Sequence, residues 1–112
     1  MRTFKSGATR DTNRNKPDYE GYLSPLVLER YGEYMLKHQI QSDGTAREGD
    51  NWQKGIPLTE LIKSGFRHFM DWWRGHRGYK PQGIEDILCA LMFNVMAYLH
   101  TLLLRQRGMG DG

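Results

Sequence analysis

Four acidic positions and one histidine carry the residue types from which a reactive site could be built. Glu29 and Glu33 stand four residues apart, so a helix would place both on one face. Glu85 and Asp86 are adjacent. His68 precedes Asp71 by three residues, a spacing that lets a carboxylate orient an imidazole for acid–base work. Carboxylates converging from several helices are a common way to hold a hard divalent ion such as Mg²⁺, with Mn²⁺ as a substitute. Each group also has an ordinary explanation. Arg30 or Lys37 could offset the Glu29/Glu33 repulsion, Arg67 could pair with Asp71 along a helix, and Glu85-Asp86 could serve a helix start. Asn94 stands among Leu91, Met92, Phe93, Val95 and Met96. A buried amide without a partner is costly, so it must bond to another buried polar group or to a ligand. No Cys/His spacing for zinc and no phosphate-cradling glycine loop is present.

The elements that would position these residues read as helices. Ser24-Pro25 is a capping serine followed by proline at a first helical position, and Leu26, Val27, Tyr31, Tyr34 and Met35 follow at helical spacing. This predicts a helix over 24–41. Pro57 opens a second over 57–75, with Leu61, Ile62, Phe66, Phe69, Met70 and Trp73 on one broad face. Gly83 precedes a third over 83–105, apolar around more than half its surface, which predicts a place in the middle of the protein or at a dimer seam. Residues 1–22 read as an extended arm, tacked down by Phe4, Tyr19, Tyr22 and Leu23, and 106–112 as a frayed tail. No strand pattern and no repeat is visible. The expected architecture is all-α: a single domain, a small bundle of three main helices with an extended N-terminal arm, forming a homodimer.

At 112 residues the chain suits one domain with a small core, for which dimerisation is a frequent remedy. A formal charge of +3 is mild, favours anionic ligands, and comes without the basic run that nucleic acid would call for. One cysteine, Cys89, in an apolar segment reads as a small buried residue in a cytoplasmic protein. The apolar region from Ile84 to Leu104 is interrupted by Glu85, Asp86, Asn94 and His100, which argues against a membrane span. Between the first two helices lies DNWQKG, where a tryptophan shares a loop with an amide and a lysine.

Three blocks in order along the chain resemble a phage-associated family, the N-terminal domain of dATP/dGTP diphosphohydrolases. They are FKSGATRDTNRNKPDYEGYLSPLVLER, then DNWQKGIP, then FRHFMDWWRG followed after a gap by FNVMAYLH. The resemblance implies hydrolysis of a purine deoxynucleoside triphosphate, dGTP or dATP, to the monophosphate and pyrophosphate. It also implies kinship with MazG-type all-α enzymes that use Mg²⁺ on clustered carboxylates. It points to Arg10, Asp11, Lys16, Glu29, Asn51, Trp52, Lys54, Arg67, His68 and Asn94. Two departures stand out. Ile87 and Ala90 occupy the place of a His-x-x-His pair found in many relatives, and Glu29 and Glu33 are one residue too far apart for the MazG signature. Helix geometry and charge add Glu33, Asp71, Glu85 and Asp86 to this set. In the enzyme reading Glu29, Glu33, Asp86 and Glu85 hold Mg²⁺, and His68 steadied by Asp71 acts as base. Lys54, Arg67 and Arg10 neutralise phosphates with Lys16, Asn51 and Asn94 nearby, and Trp52 stacks on the base or roofs the site. The alternative is a non-catalytic helical phage protein that binds nucleotide, nucleic acid or a host protein.

Overall fold

The computed structural model describes residues 2–3, 5–7, 9–10, 15–79 and 83–109. It is all-α in its main elements: α1 (Tyr19–Tyr22), α2 (Pro25–Gln39), α3 (Leu58–His76) and α4 (Ile84–Gln106), with a 3-10 turn at Asn51–Lys54. The arm holds more structure than its composition suggests. Arg2–Thr3 pairs antiparallel with Thr9–Arg10 in a minimal hairpin, and α1 follows, its start capped by Asp18, which accepts from the Gly21 N–H at 3.1 Å. Phe4, expected to tack the arm down, and Asp11 lie outside the described residues, as do 110–112 of the tail.

Local chemistry sets each main helix. Ser24 Oγ accepts from the Val27 N–H at 3.2 Å, and Pro25 occupies the first turn, where its missing N–H costs nothing. Pro57 lies just outside α3 and not within it, its carbonyl accepting from the Glu60 and Leu61 N–H groups. Gly83 enters α4 in the left-handed region (φ 79°), a conformation that favours glycine. The far end of α4 is a closed cap where fraying was expected: the Met109 N–H reaches back to the Leu104 carbonyl at 2.8 Å, with Gly108 left-handed. Within the connection after α2, Ile40 bridges Ala46, and Thr45 bonds both Asp43 and Gln41, so part of this loop is ordered.

Packing is concentrated at one seam. Among the described residues the buried set is Leu61 from α3 and Cys89, Ala90, Asn94 and Ala97 from α4. Ala90, Asn94 and Ala97 recur at helical spacing and are small, and Gly65 of α3 sits against Asn94, so the two backbones approach closely. Asn94 Nδ2 donates to the Leu61 carbonyl at 2.8 Å and also to Ser64 Oγ. The buried amide thus has protein partners and joins α3 to α4. Cys89 is buried, and burial pushes its thiol up from the ordinary value, which favours the protonated form. α4 is not wrapped on all sides within one chain: Val95, Met96, Leu99 and Leu103 remain exposed.

Asn94→Ala should destabilise the fold by about 1–3 kcal/mol, because it removes the donor to Leu61 and Ser64 and opens a small void. A urea titration read by helical circular dichroism, which lowers the midpoint without changing the slope, is the expected outcome.

Candidate functional site

The acidic residues that the sequence singles out do not gather around a common point. Arg30 of α2 donates through Nε to Glu85 Oε1 at 2.7 Å and through Nη2 to Asp86 Oδ1 at 2.5 Å. Lys37, two turns further along α2, donates to Asp86 Oδ2 at 2.7 Å. The two cations expected to relieve Glu29 and Glu33 therefore serve the start of α4 instead, while Glu29 and Glu33 stand exposed on α2. Among the described residues no group of three His, Cys, Asp or Glu side chains comes together to hold a metal ion. Glu29, Glu33, Glu85 and Asp86 carry oxygen donors of the kind Mg²⁺ takes, and among the described residues they are not brought into one group of three.

His68 and Asp71 are close enough on α3 for the carboxylate charge to act on the imidazole. Asp71 pairs with Arg74 one turn on. His68 is half-buried, and burial lowers its pKa, opposed by the nearby Asp71 charge and helped by Arg67; it is thus held toward the neutral form. Arg67 and Lys16 are exposed. Arg10 lies in the hairpin, its backbone in register with Arg2.

A concave site does form elsewhere, around DNWQKG. A cleft of about 460 Å³ opens between the C-terminal half of α2, residues 47–56 and α4. Trp52 fixes its floor, with its ring edge-on to Phe93 (centroids 5.7 Å apart) and to His100 (5.0 Å), both on α4. Packing therefore accounts for Trp52, whose ring spacing falls in the favourable range for aromatic pairs. The 3-10 turn that carries Trp52 also sets Asn51 and Lys54 on the cleft wall. Opposite them, Tyr34 and His38 of α2 face each other with ring centroids 4.3 Å apart. Arg47 completes the wall, pinned by its own donation to the His38 carbonyl at 2.8 Å and by Gln39, which donates to the Arg47 carbonyl at 2.6 Å. Among the described residues Glu48 is the one carboxylate lining the cleft. The arrangement offers flat apolar faces beside cationic groups, which suits an aromatic anion.

Of the residues named from the sequence, the cleft brings together Asn51, Trp52 and Lys54. It adds Tyr34, His38, Arg47, Glu48 and Phe93, which sequence reasoning passed over. The four-residue spacing of Tyr34 and His38 on one helix was a readable signal; Arg47 was not, because its place depends on the loop folding back on α2. Compared with family models, curated proteins and solved structures, the chain matches none.

Two guanidinium bonds and one ammonium bond hold α2 to α4, and their acid dependence has a definite sign. Lys37 and Arg30 together hold the Asp86 carboxyl at about 2, below its ordinary 3.8. Its contribution is complete above the ordinary carboxyl range and is lost as pH falls from about 4 toward about 2. Amide exchange in α2 should therefore accelerate across that interval, relative to α3. In Asp86→Asn it should be fast already at neutral pH.

Proposed function

We propose that the cleft binds a purine deoxynucleoside triphosphate and that the protein hydrolyses it to the monophosphate and pyrophosphate. The observation carrying this reading is the anchored Trp52, which holds Asn51 and Lys54 opposite Tyr34, His38 and Arg47 across one cleft. Its volume, about 460 Å³, lies in the range of small-molecule sites. The sequence resemblance to dATP/dGTP diphosphohydrolases supports the same substrate class. In this reading the purine lies along the aromatic wall, and Lys54 and Arg47 neutralise the phosphates. Water attacks the α-phosphorus, the bond from that phosphorus to the α,β-bridging oxygen breaks, and pyrophosphate leaves. Glu48, the carboxylate of the cleft, takes the proton from the water. Mg²⁺ enters as the counter-ion carried by the triphosphate.

A second reading, nucleotide binding without hydrolysis, is favoured by the ion pairs that engage Glu85 and Asp86 with Arg30 and Lys37. Incubation of the purified protein with dGTP or dATP, in Mg²⁺ or Mn²⁺, separates the two. Release of pyrophosphate and monophosphate in equal amounts is the expected result. A rise in melting temperature with dGTP and no turnover would establish the second reading instead. Lys54→Ala should raise KM for dGTP about tenfold, the loss of one charge-assisted contact, with the melting temperature unchanged because Lys54 is exposed.

A further inference from the structure

The protein exposes more surface than a compact chain of its size would. Its accessible surface is 9296 Å². A folded monomer of 13.1 kDa exposes about 6,400 Å², so the excess is about 2,900 Å². The radius of gyration is 19.0 Å, against about 13 Å for a compact domain of this length. Part of the excess lies on α1 and α2, where Tyr19, Tyr22 and Leu26 are exposed, and part on the α3–α4 hairpin. Along the α3–α4 hairpin runs a groove of about 640 Å³ whose lining is apolar almost throughout, formed chiefly by Ile62, Phe66, Phe69, Val95, Leu99 and Leu102. Phe66 is 65% exposed and Val95 61%, values at odds with the side chains of a finished core.

We propose that this groove is the seam of a homodimer, in which the α3–α4 hairpins of two copies pack face to face as a four-helix bundle. Three features select a second copy as the occupant. Permanent dimer interfaces bury roughly 2,000–5,000 Å² over both partners, and the surface each copy exposes beyond a compact monomer, to which the α3–α4 hairpin contributes, can supply it. The α3–α4 surface is a pair of antiparallel helices whose apolar residues recur at helical spacing, so a two-fold axis brings like against like and closes the assembly. The remaining face of α3 carries Lys63, Arg67 and the Asp71–Arg74 pair, which a bundle leaves in water. A bilayer is the competing cover, because α4 is long and apolar enough to span one, with a mean hydropathy of 2.0 over its most apolar stretch. Burying the hairpin in lipid would take the charges of α3 with it, at several kcal/mol for an unpaired ion. The seam is independent of the chemistry in the cleft, since none of these six residues lines it.

Sedimentation equilibrium of the full chain at micromolar concentration tests this. The expected mass is twice 13.1 kDa for the native protein. Phe66→Glu combined with Val95→Glu should give the monomer mass, whereas Leu36→Glu, at an exposed position on α2, should leave the dimer intact. Because the double variant could lose its fold, benzoylphenylalanine placed at Phe66 supplies a second measurement. Irradiation should cross-link it to α3 or α4 of another copy. A native monomer, a dimer that survives the double variant, cross-links confined to α2, or co-flotation of monomers with phosphatidylcholine vesicles would each overturn the proposal.

Discussion

Between α3 and α4 the backbones come close enough for an amide on one helix to reach a carbonyl of the other, and this contact governs the rest of the architecture. Asn94 donates to Leu61 across a seam that small residues, Gly65 on α3 and Ala90 and Ala97 on α4, line on either side. Apolar residues of that size would pack the seam as well but would allow the helices to slide. A directional bond in a low-dielectric seam fixes one register, because any other leaves the amide unpaired. Register then decides which face of α4 meets α3, which side carries Phe93 and His100 toward the Trp52 turn, and which remains open.

α2 is attached by a different kind of force. Its contacts with α4 centre on Arg30 and Lys37 at the helix start, where Glu85 and Asp86 already complement the positive end of the helix dipole. Exposed ion pairs of this type contribute little individually and are weakened by salt. The protein thus combines a packed hairpin with a more loosely tethered helix. Its cleft lies between the two.

Much of this was legible in the residues. Ser24-Pro25 marks the start of α2, and the apolar periods of α3 and α4 locate both helices to within a residue or two. The need for Asn94 to find a partner was also legible, but the identity of that partner depended on how two helices cross, which a one-dimensional pattern does not hold. The same limit explains the acidic residues. Glu29, Glu33, Glu85 and Asp86 can be placed on helix faces from spacing alone, yet whether they converge depends on which turn of α2 meets α4. Arg30 and Lys37 answer that question, and their preference for another helix over their own neighbours is a tertiary effect. Within DNWQKG, the tryptophan is an anchor on α4, and the wall of the cleft is supplied by the residues on either side of it.

The cleft therefore has one fixed jaw and one held by charge. Phe93 belongs to the hydrogen-bonded hairpin, whereas Tyr34, His38 and Gln39 ride on α2. A rigid jaw preserves the shape against which a ring can settle, and an ionic tether lets the opposite jaw shift without breaking any packed core. The Arg30–Asp86–Lys37 cluster lies outside the cleft and joins α2, which carries that jaw, to the start of α4. Added salt, which screens such exposed pairs, would therefore act on the movable jaw and leave the fixed one in place.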